Sequence, residues 1–238
     1  MITIKIAELP IGIENRFEYT KDMSLDYLTD DKPIFTVTPT EEDIKRERSL
    51  GESDFSDEYF ERLVAYRHIA EVMPAYDGFL FHGSVIELSG KAYIFTANSG
   101  VGKTTHTRLW LSEFPNDVSI INGDKPIIRF IDGIPCACGT PWQGKENYGK
   151  NVIKPIGGVA FLSRGTENRA YPITADEAVM RFMSQIYLPK RSPAMLSATL
   201  RLADKMLKSV NLVHLECNME PEAAHVCRKA LLKTDKTW

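Results

Sequence analysis

The sequence predicts an α/β fold with a mixed β-sheet, and it does so through three observations. The first is Ala-Asn-Ser-Gly-Val-Gly-Lys-Thr at positions 97–104, a small residue and four variable ones before Gly-Lys-Thr, as in the Walker A phosphate-binding loop (P-loop). The second is a link of two residues, Ser89-Gly90, between two strand-like runs, which permits an antiparallel hairpin and excludes a parallel crossover. The third is the apolar run 118–121, which ends at Asn122-Gly123-Asp124.

The P-loop lies in the context that its chemistry requires, with an apolar strand at 92–96 before it and a helix at 104–113 after it. Small residues let backbone N–H groups surround polyphosphate oxygens, and the helix N-terminus favours the anion. Lys103 can reach the β- and γ-phosphates, and the Thr104 hydroxyl can bind Mg²⁺. The predicted nucleotide-binding residues are Asn98, Ser99, Gly100, Val101, Gly102, Lys103, Thr104 and Thr105.

The residues before the predicted hairpin, which joins strands at 84–88 and 92–96, predict two strands and a helix. Ile2, Ile4 and Ile6 alternate with polar residues, as in a half-buried strand, and 33–38 holds a second short strand. Charged residues crowd 41–54, which predicts a solvated helix or loop. Ser56 is the expected N-cap of an amphipathic helix whose core face is Tyr59, Leu63, Tyr66, Ala70 and Met73.

The segment after the P-loop helix holds further candidate site residues. An acidic residue just beyond an apolar strand can supply a second Mg²⁺ or water ligand, so Asp124 is a functional candidate. A hairpin follows, with strands at 127–130 and 134–138. The polar, Gly-rich segment 139–151 is predicted to form a substrate loop at the mouth of the site, with Trp142, Lys145 and Lys150; a surface loop whose tryptophan covers the sheet edge is the alternative.

The C-terminal third predicts two strands and three helices. The strands are 159–162 and 212–216, and a capping box at Thr174 opens a helix to about Tyr187. Ser192-Pro193 opens the next helix, and the last covers 221–232.

Composition places limits on function and location. The net charge of −3 gives no reason to expect binding to nucleic acid or to a membrane. With no membrane-length apolar run and no signal-peptide pattern, a cytoplasmic location is expected. The four cysteines fit no zinc spacing and are expected to be free thiols. We expect one domain over 1–238, with N-terminal strands and a helix in 1–78 and the nucleotide-binding core in 79–238; a homo-oligomer stays open.

Three motifs, in order, resemble the catalytic domain of HPr kinase/phosphorylase, within the P-loop kinases related to phosphoenolpyruvate carboxykinase. They are Phe81-His82-Gly83, the P-loop, and Asn122-Gly123-Asp124-Lys125-Pro126. The run Gly102-Lys103-Thr104-Thr105-His106 and the run Gly139-Thr140-Pro141-Trp142 resemble, more narrowly, uncharacterised HPr-kinase-like proteins. The resemblance covers about residues 80–165.

The resemblance implies ATP, Mg²⁺ and transfer of a phosphoryl group to a hydroxyl of a small molecule or of a Ser/Thr in a peptide. It implies that Lys103 and Thr104 bind phosphate and metal, that His82 lies near the γ-phosphate, and that Asp124 is the second acid of a pair. The first acid of that pair is Gly123 here. The general base therefore stays open, and a nucleotide-binding regulator without turnover is the alternative function. A carboxykinase-like decarboxylase is disfavoured by the short chain and by the lack of a second Lys/His metal cluster.

Overall fold

The computed structural model describes residues 1–50, 54–144 and 146–233. The strands are β1 Ile2–Ile6, β2 Leu9–Ile13, β3 Phe35–Val37, β4 Gly78–Leu80, β5 Ser84–Leu88, β6 Lys91–Thr96, β7 Val118–Asn122, β8 Ile127–Ile131, β9 Ile134–Cys138, β10 Ile153–Arg164, β11 Arg169–Pro172 and β12 Asn211–Cys217. The α-helices are α1 Glu18–Asp22, α2 Glu41–Leu50, α3 Asp57–Val72, α4 Lys103–Glu113, α5 Ala175–Met183, α6 Pro193–Ser209 and α7 Glu222–Leu231.

The central sheet is mixed, and its longest strand, β10, joins its two parts. The first residues of β10 pair antiparallel with β9, and its later residues pair parallel with β6 and β12. The register shifts between Ile156 and Gly158, where Gly157 lies against the ring of Tyr93. β6, β5 and β7 follow as antiparallel neighbours, so the predicted hairpin between β5 and β6 is confirmed.

Helices cover both faces of this sheet. On one face, Phe182 of α5 and Met206 of α6 pack with Phe79, Phe81 and Phe161 in one apolar cluster. On the other face, α4 and α7 enclose a second cluster around Trp110, Phe95 and Cys227. Cys136, Cys138 and Cys227 are buried and all four cysteines are free, as predicted.

The P-loop helix α4 is fixed to the sheet by aromatic contacts. The Trp110 indole N–H donates to His106 Nε2 at 3.0 Å, and both rings lie against Phe95. His106 therefore faces the sheet and not the phosphate-binding loop. Burial lowers the pKa of His106 to about 4, so this imidazole is neutral at physiological pH.

The N-terminal part shares its apolar core with the central sheet. β1 and β2 form an antiparallel hairpin, and β3 joins it in a sheet of three strands. Ile4, Ile11 and Ile69 lie in one buried cluster with Ile127 and Cys138 of the central sheet. This packing brings the N-terminal helix α3 against the part of the chain that carries the P-loop.

Glu61 of α3 holds the segment that leads into α1. Its buried carboxylate accepts the N–H of Arg16 at 2.7 Å, the N–H of Phe17 at 3.4 Å and the hydroxyl of Thr20 at 2.5 Å. These donors come from residues more than 40 positions earlier in the chain. A buried carboxylate with several donors is a strong local constraint, because removing it leaves those donors unsatisfied.

Most predicted elements are confirmed, with several corrections. Ser56 caps α3, the capping box opens α5, and Ser192 with Pro193 opens α6. The α5 helix ends at Met183 and not near Tyr187, and β10 is longer than predicted. The sequence analysis missed β2, β4, β11 and α1. Across the described ranges, no helix has the length and apolar character needed to span a bilayer.

Replacing Glu61 tests how strongly the N-terminal part is held. We expect Glu61→Ala to lower the free energy of unfolding by about 2–4 kcal/mol, because three donors lose a buried charged acceptor. Urea titration measures the loss. Glu58→Ala, on the exposed face of the same helix, is the control and should stay within about 0.5 kcal/mol of wild type. Equal effects of the two substitutions would contradict the role of Glu61.

Candidate functional site

Two glycines set the backbone conformation of the predicted phosphate-binding loop. Gly100 and Gly102 have φ of 79° and 126°, values that L side chains rarely adopt. The first backbone hydrogen bond of α4 runs from the His106 N–H to the carbonyl of Gly102, the residue before the helix, at 2.9 Å. The N–H groups in the first turn of α4 therefore lack acceptors within the helix and point toward the loop. The guanidinium of Arg164 donates to the Gly100 carbonyl at 2.6 Å and braces the outer side of the loop.

Lys103 and Thr104, the residues predicted to bind phosphate and metal, are the first two residues of α4. Lys103 Nζ donates to the Ala97 carbonyl at 2.9 Å, so the ammonium lies within the loop. Burial lowers the pKa of Lys103, although the Asp124 charge acts in the opposite direction. The Thr104 hydroxyl makes no hydrogen bond within the described part of the chain, so it can accept a ligand.

His82 is positioned by its backbone. Its N–H donates to the Gln185 carbonyl at 2.8 Å, and its carbonyl accepts the Thr96 hydroxyl at 3.0 Å. The next residue, Gly83, lies so close to β6 that a Cβ there would be 3.1 Å from the Phe95 carbonyl oxygen. The residues before β5 are therefore held tightly against the strand that leads into the P-loop.

Asp124 meets His82 because two strand ends are joined. Gly83 N–H donates to the Asp124 carbonyl at 3.0 Å, and the Ser84 hydroxyl donates to the Gly123 carbonyl at 2.9 Å. These bonds bring Asp124 Oδ1 to 3.3 Å from His82 Nε2. Lys125 Nζ donates to the same oxygen at 2.9 Å. The second oxygen, Oδ2, has no partner among residues 1–50, 54–144 and 146–233.

The buried amide of Asn122 sets the turn that presents Asp124. Its Oδ1 accepts the N–H groups of Asp124 and Lys125 at 2.9 and 2.8 Å. Its Nδ2 donates to the carbonyl and hydroxyl oxygens of Thr140 at 3.1 and 3.0 Å. The sequence analysis did not identify this role, although an Asn followed by Gly-Asp at a strand end is a signal for such a turn.

The carboxyl group of Asp124 is anionic over the physiological pH range. Burial acts to raise its pKa, but the hydrogen bond from His82 and the charge of Lys125 outweigh burial and bring the pKa to about 2. A carboxylate with so low a pKa is a weak proton acceptor. It is better suited to binding a cation or to orienting the imidazole of His82.

The space beside Gly123, where the sequence resemblance would place a first acid, is occupied. A Cβ on Gly123 would lie 2.5 Å from the backbone carbonyl oxygen of Gln143 and 3.4 Å from that of Tyr148. Gly144, which follows Gln143, has a φ of 80° and lies close to Asp124. The segment after β9 thus fills the space beside Gly123, so an aspartate there would require this backbone to move.

Most of the predicted P-loop residues open, together with His82 and Asp124, into one cleft of about 940 Å³. Its P-loop side includes Ser99, Gly100, Gly102, Lys103, Thr104 and Thr105, and His82 and Asp124 line it as well. A second side comes from the N-terminal part, with Tyr19, Met23, Phe55, Tyr59 and Arg62. The sequence analysis placed Tyr59 in the core and assigned no site role to the N-terminal part, since its contacts with residues 40 or more positions later leave no local signal.

Several predicted residues lie elsewhere. The interpretation of Trp142 as a substrate-loop residue is wrong for its side chain, which is 5% exposed and packs edge-on against Tyr66 of α3. Lys150 is exposed and does not line the cleft. Lys145 lies outside the described residues. Asn98 and Val101 line a neighbouring cavity of about 630 Å³ on the other side of the loop, where Asn98 Oδ1 accepts from Gln185.

Within the described ranges, no group of three or more His, Cys, Asp or Glu side chains could hold a metal ion. Among the oxygen atoms that line the cleft, the Thr104 hydroxyl and Asp124 Oδ2 are two that have no hydrogen-bond partner in the described part of the chain.

Comparison with known proteins gives a distant structural likeness. No family model matches the chain, and no curated protein matches its sequence. Among solved structures, the Hpr(Ser) kinase/phosphatase from Coxiella burnetii is similar over 65% of this chain and 97% of its own, with 7% sequence identity and a TM-score of 0.38.

The low pKa of Asp124 predicts a dependence of stability on acid. Because the folded-state pKa of about 2 lies below the ordinary aspartate pKa of 3.8, the stabilisation is complete above about pH 4 and is lost as the pH falls toward 2. Wild type should therefore lose more unfolding free energy between about pH 5 and 2.5 than Asp124→Asn, as measured by urea titration. Carboxylates common to both proteins cancel in the comparison, and parallel pH profiles would contradict the prediction.

Because the space beside Gly123 is filled by backbone, an acidic side chain at this position should destabilise the fold. We expect Gly123→Asp to lower the free energy of unfolding by about 1–3 kcal/mol, because the new side chain meets backbone and not a flexible side chain. Gly123→Ala, which adds only the Cβ, should already show most of this loss. An unchanged free energy of unfolding for Gly123→Asp would contradict the prediction, because it would mean that the backbone around Gln143 moves aside at little cost.

Proposed function

We propose that this chain is an ATP- and Mg²⁺-dependent kinase that transfers the γ-phosphoryl group to a hydroxyl of a small molecule or of a Ser/Thr in a peptide. One observation carries the proposal. The P-loop and Lys103 open into the same cleft as a histidine and an aspartate that lie 3.3 Å apart. Phosphoryl transfer needs such a combination of anion binding, metal binding and a positioned proton acceptor.

The P-loop side of the cleft suits the donor nucleotide. Backbone N–H groups at the start of α4 and the ammonium of Lys103 bind the β- and γ-phosphates, and Lys103 exchanges its bond to the Ala97 carbonyl for phosphate oxygen. Mg²⁺ in such sites takes one or two protein oxygens together with phosphate oxygens. The Thr104 hydroxyl and Asp124 Oδ2 are the oxygens that would hold it, and the ion would neutralise charge on the transferring group.

His82 is the better candidate for the proton acceptor. Asp124 binds a proton too weakly, since its pKa is about 2. When His82 donates Nε2–H to Asp124, its Nδ1 carries the lone pair, and Nδ1 has no partner in the described structure. The imidazole of His82 therefore takes the proton from the substrate hydroxyl that receives the phosphoryl group, while Asp124 fixes the orientation of the imidazole. This assignment is compatible with the resemblance of the three sequence motifs to HPr kinase/phosphorylase.

A second candidate function is a nucleotide-binding regulator without turnover. It is favoured by Gly123, because the first acid of the related kinases is absent here and the Gln143 carbonyl occupies its space. In this case the P-loop still binds ATP, but no group accepts the hydroxyl proton efficiently.

Labelled ATP distinguishes the two functions. We expect the protein with Mg²⁺ to transfer the γ-label to an acceptor in a metabolite extract or a Ser/Thr peptide library, and His82→Asn to reduce transfer by about 10²- to 10⁴-fold while ATP binding persists. Lys103→Ala should abolish ATP-induced thermal stabilisation, whereas Lys91→Ala, an exposed lysine on β6, should not. Binding without transfer to any acceptor would favour the regulator, and absence of binding would exclude both functions.

A further inference from the structure

Arg62 presents a guanidinium group to the cleft that has no counterion among residues 1–50, 54–144 and 146–233. Arg62 lines the cleft from α3, and in the described structure its side chain forms no hydrogen bond and no ion pair. Its Nε is shielded from water and has no acceptor. A buried, unsatisfied donor on a cation is costly, so such a group in a native protein calls for an explanation.

The other cations that line the cleft are already engaged. Arg108 forms an ion pair with Glu146 at 2.7 Å, and Lys103 is bonded to the P-loop carbonyl of Ala97. The lining carboxylates of the described chain, Asp124 and Glu146, both have cationic partners. Arg62 is thus left with an uncompensated charge in a cavity whose other side is built to bind a polyphosphate.

The position of Arg62 is fixed by its surroundings. The guanidinium carbon lies 4.7 Å above the ring centroid of Tyr59, one helical turn earlier, which is within the range of a cation–π contact. The preceding residue, Glu61, locks α3 to the segment leading into α1. A group held in place before its ligand arrives loses less conformational freedom on binding.

We propose that Arg62 binds the terminal phosphoryl group of the nucleotide and is a further catalytic residue, supplied by the N-terminal part of the chain. This inference rests on the proposed nucleotide-binding function. Lys103 and the α4 N-terminus bind the phosphate chain on the P-loop side, and Arg62 adds a planar donor set from α3. A cation placed beside the equatorial phosphoryl oxygens neutralises their negative charge and so stabilises the transition state of phosphoryl transfer.

The test compares two nucleotides that differ by the terminal phosphate. Calorimetric titration with Mg²⁺ measures binding of ADP and of the β,γ-imido analogue of ATP. We expect Arg62→Gln to weaken binding of the analogue about 10- to 100-fold, as loss of a charged hydrogen bond would, and to change ADP binding less than about twofold. Arg201→Gln, on the exposed side of α6, controls for the change in net charge and should alter neither affinity.

A second variant guards against a folding defect. Arg62→Lys keeps the charge but not the planar pair of donors, so it should weaken binding of the analogue less than Arg62→Gln does and again leave ADP unaffected. If a folded Arg62→Gln variant lost equal affinity for both nucleotides, or lost none for either, the role of Arg62 would be overturned but the proposed function would not. Failure of the wild-type protein to bind either nucleotide would overturn the proposed function together with this inference.

Discussion

The buried side-chain amide of Asn122 is the interaction on which the candidate site depends. It ends β7, turns the chain so that Asp124 faces His82, and ties that turn to Thr140 in the segment after β9. An amide can do this because it offers both donors and acceptors, and here both kinds are used at full burial. A carboxylate at this position would lose the donors, and an alkyl side chain would lose every bond.

Three parts of the chain meet at the cleft, and each brings a different physical property. The P-loop brings oriented backbone dipoles on a helix that aromatic packing holds rigid. The ends of β5 and β7 bring a hydrogen-bonded acid–imidazole pair. The N-terminal part brings aromatic surface and Arg62 through a core that it shares with β8 and β9. The geometry of the cleft consequently depends on how the N-terminal part packs against the central sheet.

Local chemistry explains which features could be read from the sequence. Helix caps at Ser56, Thr174 and Ser192, and the short link between β5 and β6, are local signals, and they predicted the corresponding elements. The hairpin between β1 and β2 was missed because its turn is formed by Ala7 and Glu8 with positive φ, where Gly, Asn or Asp would be expected. Trp142 was misinterpreted because its partner, Tyr66, lies on a helix far away in the sequence.

In the candidate site, too, local signals could be read from the sequence and contacts between distant residues could not. Local sequence patterns pointed to Lys103, Thr104 and Asp124, and the resemblance of the motif at 81–83 pointed to His82. The structure gathers these four residues in one cleft. The contribution of α3 is a tertiary effect, and no periodicity in residues 57–72 distinguishes Arg62 from the other charged residues of that helix.

The carbonyl of Gln143 beside Gly123 also bears on how this chain can change in evolution. A single codon change at position 123 would introduce an acid against fixed main chain, so a two-acid site is accessible only if the neighbouring segment is remodelled first or at the same time. Substitutions at these positions are therefore expected to be epistatic, and descendants of this protein should retain the one-acid arrangement even under selection for a stronger base.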